Sequence, residues 1–596
     1  MLYGNWGKIL EIDVKRKITR IVKPSEEIYD KFLGGRGLGV YLYTQYASPL
    51  NGYALSEGNP IIITTGPLTG TPVPTAGRAA MTSRSPLTGT IFTSSSGGIS
   101  GASLKFTGYD ALVIIGKSEK PVYIYISDNE IGIEDATALW GKNTIETTQN
   151  LKEKYSGYSS IISIGPAGEN QVLFASVITD GARGFGRGGL GTVWGYKNIK
   201  ALVIKKGRKK PRIKDKEKLK NVVYEANKSI KQNPVTSKAL PELGSSFMLD
   251  VVYFDRALPV KNFSDNRFPT IDRIGSTALQ EEIFENSISC WGCPISCGRI
   301  CHDNEDKVSE GPEFETIWAL GPNLGIDDLV FIQKANRLAN EYGLDTISLG
   351  GVIAFAMEAT ERGILDFGVK FGEKEKIPDL IKKIAKNNGI GQDLKTGTGN
   401  LARKIGKKAS YFAINVKGLE LAAYDPRIIK GMAVGYATSN RGGCHLHGGY
   451  SAGSEILGLP RRVDPALQIS KGTLVAKRQN DSAAVDSLIV CQFASMAVSL
   501  EIWSRILTAV SGKQYSAKRL SQIGERIHNL ERIINLKLGF TRKDDSLPPK
   551  LIEEHLGEEK IELDVMLDEY YEFRGWSREG IPTEKKVLEL ELNNFL

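Results

Sequence analysis

The chain has 596 residues, of which 41% are apolar and 24% charged, the composition of a folded globular protein and too apolar for a disordered one. Lys and Arg number 77 and Asp and Glu 68, a net charge of +9; as an average this is a mild bias that suits an acidic protein partner. It falls short of a nucleic-acid protein, which gathers its basic side chains on one element. No stretch reaches the ~18 uninterrupted apolar residues of a membrane span, and the N-terminus lacks the basic-then-apolar pattern of an export signal. Six cysteines, mostly clustered, fit reduced thiols, so a cytoplasmic protein of two to four domains is expected.

From residue 1 to about 210, β-branched runs recur at Lys8–Val14, Pro60–Thr65, Asp110–Gly116, Pro121–Ser127, Val172–Thr179 and Ala201–Lys205. Gly, Pro, Ser and Thr clusters separate them, which predicts a mostly antiparallel β domain. Helices are expected over Ser25–Leu33 and Asn143–Lys154. Four glycine-rich stretches, Gly34–Gly39, Ala76–Arg78, Ser94–Gly98 and Arg183–Gly191, read as backbone nests for phosphate groups, with arginines beside them. Gly184, Gly186 and Gly189 match G-x-G-x-x-G, but the acidic residue about 20 positions on is missing, so a dinucleotide site is rejected.

Lys206–Lys214 (KGRKKPRIK) reads as an interdomain linker or, equally, as a solvated loop. Beyond it, helical spacing of apolar residues marks Asp215–Gln232, Leu329–Tyr342, Leu380–Asn388, Ala483–Leu500 and Lys513–Leu538. The charged tail Pro548–Leu596 is expected to add a helix or two that wraps the body. The fold class is therefore α+β, an N-terminal mostly antiparallel β domain followed by mainly α-helical structure.

Chemistry concentrates in S-C-W-G-C-P-I-S-C-G-R-I-C from Ser289. Cys290, Cys293 and Cys297 form C-x2-C-x3-C, unlike the paired knuckles of structural zinc and like the local part of an iron–sulfur site. Candidates for a fourth ligand are Cys301, favoured by spacing, the distant Cys491, and His302. His445 and His447 stand in N-R-G-G-C-H-L-H-G-G-Y with Arg441 and Cys444, and share one side if that segment is extended. Glu310, Glu313 and Glu315 follow the cysteines closely. They read as candidate general bases or as the acids of a helix's first turn.

Taken in order, these stretches resemble the tungsten-containing aldehyde:ferredoxin oxidoreductase family over essentially the whole length. They are G-G-R-G-L-G from Gly34, G-R-A-A-M-T-S-R-S-P-L-T-G-T from Gly77, and L-K-F-T-G-Y-D-A-L-V-I-I-G-K from Leu104. Then come G-R-G-G-L-G-T-V-W-G-Y-K-N from Gly186, the cysteines, G-P-E-F-E-T from Gly311, V-K-G-L-E-L-A-A-Y-D-P-R from Val416, A-T-S-N-R-G-G-C-H-L-H from Ala437, and Cys491.

The resemblance implies a pterin-cradling β domain over residues 1–210 and two helical domains over 211–416 and 417–596. It implies a tungstopterin of two pterins carrying tungsten or molybdenum, Mg2+ bridging the pterin phosphates near Ser95 and Gly184, and a [4Fe-4S] cluster. Pterin contacts are implied at Arg78, Ser95, Gly97, Arg183, Gly184, Gly186, Arg187, Asn340, Leu344, Asp345, Arg441, His447 and Asp486. Cys491, not Cys301, becomes the implied fourth cluster ligand. The catalytic groups are implied to be Glu315 or Glu313, with His445.

The implied activity is oxidation of aldehydes to carboxylic acids with ferredoxin as electron acceptor, in a homodimer or with an additional electron-transfer subunit. Two alternatives stand beside it: a pterin subunit of a larger reductase acting on an aromatic thioester, and a non-catalytic iron–sulfur protein. The chain departs from the family pattern at Asn340, where Asp is frequent, at Ile489–Val490 in place of Gly-Leu, and at His447 in place of Lys or Arg.

Overall fold

The β-branched runs of the first third supply six of the twelve strands of two six-stranded sheets. The computed structural model describes residues 2–155, 157, 159–303, 305, 307–556 and 559–595. The first sheet holds β1 (Ile9–Asp13), β2 (Ile18–Val22), β3 (Ile61–Thr64), β4 (Ala79–Arg84), β5 (Ile91–Ser96) and β6 (Ala111–Ile115), in the order β2-β1-β6-β3-β4-β5. The second holds β7 (Val122–Ile126), β8 (Ile131–Asp135), β9 (Ser159–Ser163), β10 (Val177–Thr179), β11 (Arg183–Phe185) and β12 (Ile199–Lys205), in the order β11-β10-β9-β12-β7-β8. All neighbours are antiparallel except β1 with β6 and β7 with β12. The expected Val172–Thr179 strand is shorter than its apolar run. Val172–Ala175 makes a turn instead, and Leu173 N–H donates to Lys395 O in the helical part.

Strand alternation builds two cores from one sheet. On β6, Leu112 and Ile114 face the space between the sheets, with Ile124, Ile162 and Leu202 of the second sheet. Ala111 and Val113 face the helices. Both faces being covered explains why β3 and β6 read as continuous apolar runs.

Helices occupy Lys216–Gln232, Leu329–Tyr342, Ile377–Ala385 and Ala517–Lys537, close to expectation. The expected helix Ala483–Leu500 does not form as one element. Helix Lys471–Leu488 stops at Ile489, which adopts φ +62°. The chain then turns through Cys491 and Gln492–Met496 before the next helix, Leu500–Ser511. The break is set by packing: a Cβ at Gly35 would lie 2.2 Å from Asp486 O, and one at Gly66 2.6 Å from Leu488 O.

Two further expectations change. Gly34–Gly39 is not a phosphate nest; it opens the buried helix Gly35–Tyr46, and its glycines let that helix approach its neighbours. Arg36 within it is buried against Glu531, with Nη2 to Oε2 at 2.6 Å. Nor does the charged tail merely wrap the body. Helix Leu563–Arg574 is inserted in it, with Tyr570 and Arg574 fully buried and Arg574 Nη2 donating to Gln479 Oε1 at 2.7 Å.

Candidate active site

Arg78, Ser95, Gly97, Arg183, Gly184, Gly186 and Arg187 lie where the two sheets end side by side. β5 and β11 are edge strands of their sheets, and edges leave backbone groups free for other partners. Ser96 Oγ reaches Thr179 Oγ1 across the gap at 3.4 Å. Arg78, just before β4, donates from Nη2 to Ser95 O at 3.3 Å. Gly184 pairs with Ile178 within the β10–β11 hairpin. A Cβ at Gly186 would meet nothing within 4 Å, so open space lies there between Arg183 and Arg187. Arg187 is buried, with Nε 3.2 Å from Asp345 Oδ2 and Nη2 2.6 Å from Glu420 O. Asp345 caps helix Thr346–Glu361 by accepting from Ile347 N and Ser348 N.

The cysteines sit against the same edge. Gly98 N–H donates to Cys290 Sγ at 3.2 Å, and a Cβ at Gly97 would stand 2.7 Å from that sulfur. Burial and then the neighbouring Cys491 push the Cys293 thiol up to about 11. Burial, Glu313 and Cys491 raise Cys297 further. Cys491, Cys290, Cys293 and Cys297 are therefore electrostatic neighbours, while Cys301 lies apart from them. Cys301 is fully buried in β14 (Gly298–His302), which follows β13 (Phe284–Ile288); its sulfur faces Gly311, and burial lifts it to about 12. His302 ends the same strand, paired with Val308. Among the described residues no three His, Cys, Asp or Glu side chains are close-set enough to grip one ion; the four thiols are neighbours, not ligands of a single point. Arg183 lies between cradle and cysteines, ion-paired to Glu310 and 3.8 Å from Glu313 Oε1.

The three glutamates separate in space. Glu313 is the N-cap of helix Phe314–Leu320, takes a hydrogen bond from Ser245 Oγ, and its side chain is 47% exposed. Glu315, in the first turn, points the other way into the interior. Its Oε2 accepts from Ala423 N at 3.0 Å, and its Oε1 has no hydrogen bond but lies 3.5 Å from His445 Nε2. Burial pushes the Glu315 carboxyl up to about 8. Burial, then Arg187 and Arg441, hold His445 well below the usual imidazole range, so it is neutral.

The two histidines do not share one direction, because residues 445–449 form a turn, not an extended segment. His445 faces Glu315, whereas His447 Nε2 lies 3.5 Å from Asp486 Oδ2, which is itself 3.4 Å from Arg36 Nη1. Arg441 donates to Thr93 O at 2.6 Å and to Cys444 Sγ at 2.8 Å, leaving its Nε without a partner. Asn340 and Leu344 are more peripheral. Asn340 Nδ2 turns to Asn336 at 3.4 Å, which in turn bonds Glu310 O, and Leu344 bridges to Ala175.

Residue-by-residue reading of the sequence passed over Tyr424 and Tyr450. Their hydroxyls are 3.0 Å apart, and their rings lie 5.7 and 6.1 Å from the His445 ring. Their available signals were the A-A-Y-D-P-R stretch for Tyr424 and the end of N-R-G-G-C-H-L-H-G-G-Y for Tyr450. Free atoms on Glu315, His445 and Arg441, open space at Gly186, and thiols against a glycine edge are features that fit a large anionic cofactor beside a sulfur-ligated cluster. A cavity of about 910 Å³ along β1 and β2, lined by Glu11, Arg20 and Tyr46, shares no residue with this region.

Family models for aldehyde ferredoxin oxidoreductase match twice: the N-terminal domain over residues 9–206, and domains 2 and 3 over 221–592. The chain is 40% identical over 609 residues to the tungsten-containing aldehyde ferredoxin oxidoreductase of Pyrococcus furiosus, covering 100% of both. It is 30% identical to an aliphatic sulfonate oxidoreductase WOR-like subunit of the same organism, covering 99% of this chain and 97% of the other. Among solved structures, the BamBC active-site complex of benzoyl coenzyme A reductase superposes with a TM-score of 0.87 at 25% identity, covering 100% of this chain and 98% of that one. The chain belongs to the aldehyde ferredoxin oxidoreductase family, a family of oxidoreductases.

Proposed function

We propose that the protein oxidises aldehydes to carboxylic acids and passes the electrons to ferredoxin. The observation that carries this reading is the Glu315–His445 pair, a buried carboxyl with a free oxygen 3.5 Å from a neutral imidazole. It suits deprotonation of water beside a hydrogen-bond donor. A bis-pterin tungsten or molybdenum centre, bound between the sheet edges and the Arg441 turn, would supply carbonyl polarisation and two-electron acceptance.

Arg78, Arg183, Arg187 and Arg441 would hold its anionic groups, with Ser95, Gly97, Gly184 and Gly186 lining the approach. Ser95 O and Gly184 O would face Mg2+. Asn340, Leu344, Asp345, His447 and Asp486 would complete the cradle. Cys290, Cys293, Cys297 and Cys491 would hold a [4Fe-4S] cluster as the electron exit.

In the reaction an aldehyde and water become a carboxylate, three protons and two electrons. Glu315 takes a proton from the attacking water. His445 donates its N–H to the oxygen that gains charge. Glu313, half exposed on the cysteine side, is the less suited base. Tyr424 and Tyr450 wall the site from bulk water.

Anaerobic purification with elemental analysis, then an aldehyde panel with a viologen acceptor, tests this. Tungsten or molybdenum near one per chain with aldehyde-dependent dye reduction is expected. Zinc alone, or no turnover on any aldehyde, would overturn it. The superposition on the BamBC complex favours a second reading, a catalytic subunit of a larger reductase acting on a thioester. Co-purification of an iron–sulfur partner would select that one.

A further inference from the structure

The +9 charge is not spread over the molecule. Residues 205–238 carry thirteen Lys and Arg against three Asp and Glu. That single stretch holds a net +10, and the remaining 562 residues together sum to −1. All thirteen cations are exposed. The stretch runs from the end of β12 through irregular chain and helix Lys216–Gln232 to Lys238.

Its two ends adjoin the cysteines. Near one end, Lys209 N–H donates to Phe106 O at 3.2 Å, and Lys206 Nζ sits 5.6 Å from the centre of the Phe106 ring. That ring packs edge-on, at 5.8 Å, against Trp291, the residue after Cys290. Near the other end, Asn233 Nδ2 donates to Met496 O at 3.0 Å, closing the turn that begins at Cys491. Between them Gly292 and Pro294 of the cysteine loop are exposed. The strip therefore flanks the exposed mouth of the four-cysteine site.

Like charges this dense repel one another and disfavour the folded state. Lys206 over the Phe106 ring, Lys214 over the Tyr3 ring and Lys209 on Thr107 O are contacts with neutral groups that leave the mutual repulsion of the cations in place. An oppositely charged partner does offset it, and at this position it would meet the cysteines first.

We propose that residues 205–238 form the docking surface for a small acidic one-electron carrier of the ferredoxin class. The carrier's anionic face lies on the strip, with its own cluster toward Cys290–Cys297. This rests on the reading that electrons leave through the four-cysteine cluster. Each aldehyde oxidised releases two electrons, so two oxidised carriers dock in turn and each leaves reduced by one electron. The strip's anchoring beside the cysteines at both ends favours an electron carrier over nucleic acid, which has no use for that placement.

The test compares two quadruple variants of the holoenzyme with equal charge change. One carries Lys206→Glu, Lys210→Glu, Lys231→Glu and Lys238→Glu; the other carries Lys120→Glu, Lys543→Glu, Lys560→Glu and Lys585→Glu, exposed positions elsewhere. With a purified acidic bacterial-type ferredoxin, the strip variant should raise KM about tenfold or more and lose its salt dependence. Its benzyl viologen turnover should stay unchanged, and the second variant's KM should stay within about twofold of the parent. Equal KM shifts in both variants, or none in the strip variant, would overturn the surface. So would tight binding of duplex DNA that the strip variant loses while its ferredoxin KM is unaltered. Absence of viologen-linked turnover in the parent would instead count against the functional reading. Ferredoxin binding by calorimetry then decides the surface: loss of binding in the strip variant alone supports it, and equal binding by both variants rejects it.

Discussion

Glu315 Oε1 lies 3.5 Å from His445 Nε2, and neither Glu315 Oε1 nor His445 Nδ1 has a hydrogen-bond partner. Two buried polar groups left half satisfied are costly, and such a cost is kept where chemistry uses it. Glu315→Gln should retain metal and iron and lose about 10²–10⁴-fold in kcat. Glu313→Gln should lose far less, because that side chain faces Ser245 and Arg183. Steady-state kinetics on metal-quantified samples distinguish them; equal losses would move the base to neither residue alone.

The Glu315 carboxyl, lifted to about 8 by burial, sets a pH dependence. The base form dominates only above that value, so kcat/KM should rise with pH through 8 and then level off. Stability runs the opposite way. A carboxyl raised from 4.5 to about 8 in the folded state contributes stability that is fully present below the unfolded value and lost as pH rises through the folded one. Glu315→Gln should remove that slope, so its Tm should exceed the parent's most clearly at pH 9.

Cys491→Ser should lose most of the iron and the visible absorption, whereas Cys301→Ser should keep both. Cys491 is an electrostatic neighbour of Cys293 and Cys297, and Cys301 is packed against Gly311. Iron assays with absorption spectra check this, and the reverse pattern would return the fourth ligand to the local cysteine.

Two glycines should separate space for the chain from space for a ligand. Gly97→Ala drives a methyl to 2.7 Å from Cys290 Sγ, and should lower iron content. At Gly186 the same methyl meets nothing within 4 Å, so Gly186→Ala should leave the apo-protein's Tm unchanged while lowering tungsten or molybdenum content.

Glu531→Ala should destabilise the protein by about 3–5 kcal/mol, the usual cost of stranding a buried charge. Arg36 is fully buried and its Nη2 is 2.6 Å from Glu531 Oε2. Denaturant titration measures the loss; a change under about 1 kcal/mol would mean that Asp486, 3.4 Å from Arg36 Nη1, suffices as partner.

Local pattern was enough to read a strand-rich first part followed by helices. Short β-branched runs marked β1, β3, β6, β7, β10 and β12 but not the other six strands of the two sheets, and helical spacing predicted Leu329–Tyr342 to the residue. Such signals depend on near neighbours in the chain, which is why they survive without a structure. The cysteine triplet and the E-F-E pair were legible for the same reason, as residue types at short spacing.

Long-range packing decided the rest. The end of helix Lys471–Leu488 at Ile489 is set by backbone contacts with Gly35 and Gly66, more than four hundred residues away in sequence. The choice between Glu313 and Glu315 depends on which side of one helix turn faces the interior. The opposite aims of His445 and His447 follow from a turn that i, i+2 spacing cannot reveal. The average charge of +9 concealed a strip of +10, visible as a count in the sequence. Only the tertiary structure laid it beside the cysteines, through the Phe106–Trp291 and Asn233–Met496 contacts. Sequence thus determined the elements and the reactive residue types, because those rest on local backbone preference and side-chain chemistry. Tertiary structure decided which of them meet, because burial and partnership are properties of contacts between distant segments.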